Sequence, residues 1–151
     1  MPSQILAVVF DFFGTLTPGL PVDLVEASMA RVAEILGVQG SAFSAAMTST
    51  WPERSTGVFG DSLATLLAVA RVAGAEPTPD VLTRAHAVRI ADFAAMSVLR
   101  PNAAAVLGRL HGAGLGTAVV SDCPPELSEV WPILHASALL DVVVLSSEAG
   151  A

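Results

Sequence analysis

The chain has 151 residues, the length of a single domain, and is 53% hydrophobic and only 14% charged. Its formal net charge is −7, and its seven basic residues are all Arg and are dispersed along the chain, which excludes a typical nucleic-acid-binding surface. No apolar run reaches the roughly 18 residues of a membrane span, and no basic region precedes the first apolar stretch as it would in a signal peptide. The single cysteine excludes an intrachain disulfide framework. We therefore expect a cytoplasmic protein with no membrane partner.

The first predicted element is a short strand over residues 5–10, a continuous apolar run rich in β-branched residues. Such a run is typical of a strand in a parallel sheet that is buried on both faces. It ends at Asp11, and Gly14 then permits a tight turn while Thr15 supplies a hydroxyl. Open α/β sheets place their reactive groups at this end of a strand. The simpler interpretation is that Asp11 only caps the turn that follows it.

Residues 20–97 show four helical patterns and no strand pattern. The first runs from Asp23 to Leu36 with Gly37 as its C-terminal cap. The second begins at Ser41 as a cap and continues to Trp51, and a polar loop over residues 52–57 follows it.

The remaining two helical patterns have clear start signals. The third begins at Asp61 or Ser62 and ends at Gly74. The fourth begins at Thr78, where a cap hydroxyl, a proline and an acidic residue follow one another, and it continues to about Val98.

From residue 98 onward helices and strands alternate, which is the pattern of a parallel sheet with crossover helices. A helix over residues 102–111 precedes a strand over 116–120, and a helix around 126–135, disturbed by Pro132, precedes a strand over 142–145. The fold class predicted from the residues is therefore α/β with a parallel sheet.

Two segments of the chain resemble motifs of the haloacid dehalogenase-like (HAD) hydrolases. The segment Phe10 to Thr17 reads Phe-Asp-Phe-Phe-Gly-Thr-Leu-Thr and is similar to the first motif of that family, and Leu115 to Ser121 is similar to the second, a buried strand that ends in Ser or Thr. The resemblance implies a Rossmann-like core, formed by residues 1–19 and 98–151, with an α-helical cap inserted over residues 20–97. An unrelated flavodoxin-like domain is the weaker alternative.

The resemblance also implies roles for individual residues. Asp11 would be the nucleophile that forms an ester intermediate, Thr15 would steady the loop, and Ser121 would hydrogen-bond the group that is transferred. In phosphate-cleaving members the nucleophile also binds Mg²⁺, together with the backbone carbonyl two residues on, here that of Phe13. Phe13 itself, Gly14, Asp122 beside Ser121, and Arg54 are the candidate substrate-binding residues.

Arg54 has two interpretations at this stage. It lies in the predicted polar loop, where it can serve as a bidentate donor to a substrate carboxylate or phosphate, but a solvated surface side chain is the simpler expectation.

Phe13 departs from the phosphatase form of the first motif. Most phosphatases of the family have a second Asp there, which acts as a general acid, and Phe cannot transfer a proton. Dehalogenases of the family commonly have Tyr at this position, expel halide without a proton and need no metal. Both a small organic phosphate, with Mg²⁺, and a halo-acid, without a cofactor, therefore remain as substrate classes.

The third and fourth motifs of the family, a Lys or Arg and an acidic pair, have no match, since the chain has no Lys and no Arg after Arg109. We therefore expect a core cut short, with little turnover of generic phosphate esters by these 151 residues. The alternative function is a catalytically silent remnant that serves as a binding or assembly module. The family strand order would also leave residues 6–10 on an exposed edge, which predicts a homo-oligomer formed through the first strand.

Other residues with chemical potential receive structural interpretations. His86, His111 and His135 have no metal-ligand spacing and are expected to be structural or on the surface. Trp51 is expected to be a packing residue, and Cys123 to be a buried, unreactive thiol.

Overall fold

A computed structural model describes residues 5–150 of the chain. Its centre is a three-stranded parallel sheet of β1 (Ala7–Phe10), β2 (Gly116–Ser121) and β3 (Val142–Leu145), in the order β1-β2-β3. Phe10 is paired with Val119, and Ser121 with Leu145. The predicted α/β class, the three strands and the edge position of β1 are confirmed.

Between β1 and β2 the chain is helical, with no strand from residue 22 to residue 96. The five helices of this helical segment are α1 (Val22–Leu36), α2 (Gly40–Ser49), α3 (Trp51–Ser55), α4 (Ser62–Val72) and α5 (Pro79–Met96). After it come α6 (Ala103–Gly112), α7 (Pro125–Val130) and α8 (Ser146–Ala149). Among the described residues, none of these helices is both long enough and apolar enough to span a bilayer.

Local capping signals explain three of the helix ends. Asp61 accepts a hydrogen bond from the Ala64 N–H at 2.8 Å, and Thr78 accepts one from the Val81 N–H at 3.4 Å. Gly37 ends α1 in the left-handed region at φ 72°. Each of these residues was predicted as a helix terminus from the sequence.

Three predicted helix boundaries differ from the structure. The cap predicted at Ser41 is wrong, because α2 starts one residue earlier, at Gly40, without a side-chain cap. The loop predicted over residues 52–57 contains the one-turn helix α3, since a proline in the first helical turn loses no hydrogen bond. The helix predicted around 126–135 ends at Val130, where Pro132 converts the chain to a 3₁₀ turn over Trp131–Ile133.

The sheet is buried on one face only, so the prediction of a first strand buried on both faces is wrong. Val119, Ser121 and Leu145 point into a cluster that also contains Leu107 of α6 and Leu127 of α7. On the opposite face the side chains are exposed, with Val9 at 63% and with Val120, Val142 and Val144 also accessible. An apolar run in the sequence does not show whether helices cover one face of the sheet or both. Here α6 and α7 belong to the cluster on one face.

The apolar side chains form two separate clusters. The first lies between the sheet, α6 and α7 and includes Phe93 from the end of α5. The second lies wholly within the helical segment, around Val32, Phe43 and Leu66. The division into a core and a cap at residues 19–20 and 97–98 stays a prediction.

Candidate active site

Asp11 lies directly after β1, in extended conformation and exposed. The next residues, Phe12–Leu16, form a wide turn in which Gly14 takes a φ of 80°, a value that other residues rarely adopt. The Thr15 hydroxyl reaches back and donates a hydrogen bond to Asp11 Oδ2 at 3.4 Å. Gly14 and Thr15 are also exposed, so the turn presents the Asp11 carboxylate to solvent with one hydroxyl oriented on it.

Arg100 holds this turn in place. Its Nε donates to the Thr15 carbonyl and its Nη2 to the Gly14 carbonyl, both at 3.0 Å, while its backbone N–H donates to the Leu16 carbonyl at 2.8 Å. No role was assigned to Arg100 from the sequence. Its position before Pro101, ahead of the second motif, was the only available signal.

Ser121 ends the neighbouring strand, β2, which pairs with β1 in parallel. Its side chain is buried, and its Oγ has no hydrogen-bond partner among residues 5–150. A buried hydroxyl without a partner costs about 1–3 kcal/mol and calls for a functional explanation. The structure thus places Asp11 and Ser121 after or at the carboxyl ends of adjacent strands.

Asp122 follows Ser121 and is fixed by the end of β3. Its Oδ1 accepts a hydrogen bond from Ser146 Oγ at 3.1 Å, and the same oxygen of Ser146 accepts one from the Cys123 N–H at 2.9 Å. Cys123 is fully buried, and that burial raises the pKa of its thiol, which keeps it protonated as expected. Ser146 was not assigned a role from the sequence.

A cavity of about 690 Å³ lies between the helical segment and the strand ends. Phe13 and Asp122 line it from the strand ends, and Arg54 and Arg89 line it from the helical segment. The rest of the wall is mainly apolar and includes Leu20, Val25, Met29, Met47, Trp51 and Phe93. Of the predicted site residues, Phe13, Arg54 and Asp122 are therefore brought together, whereas Asp11, Gly14, Thr15 and Ser121 are not part of the cavity wall.

Phe13 belongs to an aromatic stack as well as to the cavity wall. Its ring lies 5.0 Å from that of Phe12 and 5.9 Å from that of Phe93, both edge to face. The stack fixes an aromatic side chain at the position where most phosphatases of the HAD family have their general acid.

Arg54 is buried, with 5% of its surface exposed, so the expectation of a solvated side chain is wrong. Its Nη2 donates to the Met47 carbonyl at 2.9 Å, and its guanidinium lies 5.1 Å from the centre of the Trp51 ring. Burial lowers the pKa of Arg54, while the nearby Glu126 acts in the opposite direction. Trp51 is 38% exposed and belongs to neither apolar cluster, so the expectation of a packing residue is wrong, and its ring instead lies against a charged group on the cavity wall.

Arg89 forms a buried ion pair with Glu126 across the boundary between α5 and α7. Glu126 is 2% exposed, and its second oxygen, Oε2, has no hydrogen-bond partner among the described residues. Neither residue was singled out from the sequence, because they lie 37 positions apart and neither matches a motif.

The three histidines form no metal site within residues 5–150. His86 Nε2 lies 2.6 Å from Ser62 Oγ and 3.1 Å from Glu129 Oε2, and so joins α4 and α5 to α7. His111 lies 2.9 Å from Asp141. Across the described residues no three His, Cys, Asp or Glu side chains are placed to share a metal ion, so the side chains around Asp11 do not fit a protein-built metal site.

Comparison with known proteins identifies the fold. No protein-family model and no curated protein matches the sequence. Among solved structures, the chain is similar to a dehalogenase, with 21% identity and a TM-score of 0.50 over 99% of this chain and 66% of that chain. It is also similar to a predicted phosphoglycolate phosphatase from Haemophilus somnus 129PT, with 18% identity and a TM-score of 0.52 over 97% of this chain and 64% of that one.

The chain thus spans slightly less than two thirds of the length of both proteins. It has their HAD-type fold, an α/β fold with a parallel sheet, as the two sequence motifs implied.

Proposed function

We propose that this protein is an HAD-like hydrolase in which the Asp11 carboxylate is the nucleophile, acting on a small organic halo-acid or phosphate. The observation that carries the proposal is the placement of Asp11 and Ser121 at the ends of adjacent parallel strands, in a fold shared with a dehalogenase and a predicted phosphatase. Reactive groups of open α/β sheets lie in this position.

In the halo-acid reaction, an oxygen of Asp11 attacks the carbon that bears the halogen. A C–O bond forms, the carbon–halogen bond breaks, and the halide leaves with the electron pair. Water then hydrolyses the resulting ester and restores the carboxylate. Thr15, which donates to Asp11 Oδ2, orients the attacking carboxylate. The Ser121 hydroxyl is buried and has no partner among residues 5–150, and a role for it toward the substrate is what the resemblance of the second motif implies.

Phe13 favours the halo-acid over the phosphate ester. Cleavage of a phosphate ester expels an alkoxide, which needs a proton, whereas halide needs none. The aromatic stack around Phe13 offers no proton donor. A Mg²⁺ ion bound by Asp11 and the Phe13 carbonyl belongs only to the phosphate reaction, and no step proposed here depends on it.

The chain has a single cysteine and so forms no intrachain disulfide, which is typical of proteins of the reducing cytoplasm, where we place this activity.

A silent binding module is the second candidate function. It is favoured by one observation, the absence of Asp11 and Ser121 from the wall of the cavity, so a ligand can occupy the cavity without touching the nucleophile.

The test measures halide release from 2-chloropropionate and nitrophenol release from p-nitrophenyl phosphate, the latter with Mg²⁺. We expect halide release, little nitrophenol, and a loss of at least about a thousandfold in Asp11→Asn, because the nucleophile is removed. Asp23→Asn, which changes an exposed acid in the first turn of α1, is the matched control and retains activity. Halide release that survives in Asp11→Asn would refute the nucleophile, and ligand binding without any turnover would support the binding module.

A further inference from the structure

Arg54 is a buried positive charge without an anionic partner in the described part of the chain. The only hydrogen bond of its side chain there is to the Met47 carbonyl, and the guanidinium takes part in no ion pair. Its Nε has no partner. Burying a charge is unfavourable unless the charge is paired, so this arrangement favours a negative charge supplied from elsewhere.

The neighbouring charges do not meet this need. Glu126 acts on Arg54 through its charge, but its ion pair is with Arg89, so one carboxylate faces two guanidinium groups, and its Oε2 makes no hydrogen bond. Glu53, the preceding residue, also has a buried Oε2 without a partner and forms no ion pair with Arg54. Asp122 lines the same cavity but lies at the strand ends, where it accepts a hydrogen bond from Ser146. The cavity is therefore polarised, with an unpaired cation on the wall of the helical segment and a carboxylate at the sheet.

The rest of the cavity is suited to an apolar group of considerable size. Its volume of about 690 Å³ is that of a pocket for a ligand much larger than chloroacetate or inorganic phosphate. Its apolar wall combines aromatic rings, such as those of Trp51 and Phe93, with methionine side chains that adapt to flexible chains.

We infer that the cavity binds an amphipathic organic anion, whose carboxylate pairs with Arg54 and whose apolar chain lies against the methionine and aromatic wall. This anion is a different ligand from the halo-acid of the proposed function, because the reacting carbon of a 2-halo acid is bonded to its carboxylate and must lie at Asp11, so the inference goes beyond that function. The carboxylate lies at Arg54 rather than at the strand ends, because Asp122 repels it there.

The binding test uses n-alkanoates of increasing length, with butyrate, hexanoate and octanoate as probes and calorimetry as the measurement. Each buried methylene is expected to tighten binding by up to about fourfold. Octan-1-ol, which matches octanoate in length but has no charge, is expected to bind at least about tenfold more weakly. Equal affinity for butyrate and octanoate, or for octanoate and octan-1-ol, would overturn the inference.

The variant test removes the charge with Arg54→Met, which keeps a long side chain. We expect octanoate binding to weaken at least about tenfold, with octan-1-ol binding unchanged. Arg84→Met makes the same substitution at an exposed position on α5 and is expected to bind octanoate like the wild type. Arg54→Lys keeps the charge and is expected to bind octanoate more tightly than Arg54→Met, which separates a charge effect from a folding defect. Unchanged octanoate affinity in a folded Arg54→Met protein would contradict the inference.

These outcomes are separable from those of the proposed function. Arg54-dependent octanoate binding in a protein whose Asp11→Asn variant loses no activity would leave the inference standing and remove the nucleophile. Halide release that needs Asp11, in a protein whose octanoate binding does not depend on Arg54, would support the nucleophile and contradict the inference.

Discussion

The helical segment and the sheet differ in how completely they bury their apolar side chains. In the helical segment, Val32, Phe43 and Ala70 are fully buried in one cluster that its own helices supply. In the sheet, Val119 is fully buried on one face while Val9 and Val120 are exposed on the other.

Because of this difference, we attribute most of the stability to the helical segment and the reactive groups to the sheet. The helical segment has a complete core of its own and contributes Arg54 and Arg89 to the cavity. The sheet places Asp11, Ser121 and Asp122 at its carboxyl end and is stabilised on one face only. We therefore expect substitutions in the helical segment to affect stability strongly, and substitutions on the open sheet face to affect association.

The largest expected effect is self-association through the sheet. β1 is an edge strand within the described residues, and Ile5, Leu6 and Val9 are exposed along it. Exposed apolar edges template pairing with another chain, so we propose a homo-oligomer with a dissociation constant in the micromolar range, about −7 to −8 kcal/mol.

Sedimentation velocity at low micromolar concentration measures this association. Val9→Lys places a charge on the edge and is expected to give a monomer. Val58→Lys, at a valine of similar exposure, 68%, in the helical segment, is the control and is expected to leave the oligomer intact. A wild-type monomer under these conditions would show that the exposed face and edge of the sheet do not cause self-association.

The next largest effect concerns the two cores directly. Phe43→Ala removes a fully buried ring from the helical segment and is expected to lower the free energy of unfolding by about 3–5 kcal/mol. Val9→Ala on the exposed sheet face is expected to change it by less than about 0.5 kcal/mol. Urea unfolding measures both changes. Similar losses in the free energy of unfolding in the two variants would contradict the difference between the helical segment and the sheet.

A smaller effect is expected where the two regions meet. Gly57 has a φ of 70°, and a Cβ added there would lie 2.1 Å from the Ser147 carbonyl oxygen. Gly57→Ala is therefore expected to lower the free energy of unfolding by roughly 2–4 kcal/mol, from overpacking and the strained φ together.

Gly37→Ala is the matched control for that substitution. Gly37 has a φ of 72°, and a Cβ there would meet no atom within 4 Å, so it carries the conformational penalty alone. Equal losses in the two variants would show that the helical segment does not press against Ser147.

The smallest effect expected is a pH dependence within the sheet. The Asp141 carboxylate accepts hydrogen bonds from the Thr117 N–H at 2.7 Å and from the Thr117 hydroxyl at 3.1 Å, and these bonds lower the pKa of Asp141 below its ordinary value of 3.8. A carboxylate with a lowered pKa stabilises the fold above its unfolded pKa, and this contribution is lost as the pH falls through the folded pKa.

Asp141→Asn tests this sign. The stability difference between the wild type and Asp141→Asn is expected to shrink as the pH falls below about pH 3.8, as urea unfolding at each pH measures. A difference that grew on acidification would contradict the assigned direction.

The sequence predicted those features that depend on local chemistry. Asp61 and Thr78 were identified as helix caps because a short polar side chain before an apolar periodic run has few other uses. Asp11 and Ser121 were placed at the ends of strands because each follows or ends a short apolar run that matches a motif.

The features that were not predicted, or were predicted wrongly, depend on contacts between distant segments. The burial of Arg54 depends on the packing of α3 against the rest of the fold, which a polar loop composition conceals. The pairing of Arg89 with Glu126 joins residues 37 positions apart. The exposure of Val9 depends on which face of the sheet the helices cover, and an apolar run looks the same in both cases.

The central claim is that Asp11 forms a covalent ester, and oxygen-18 labelling tests it most directly. With protein in excess over 2-chloropropionate in oxygen-18 water, hydrolysis of the ester at its carbonyl carbon transfers solvent oxygen to Asp11 and leaves the lactate hydroxyl unlabelled in the first turnover. Mass spectrometry of the peptide that contains Asp11 is expected to show the label on that residue, and unlabelled lactate beside it. Labelled lactate with an unlabelled Asp11, or no halide release at all, would contradict the account.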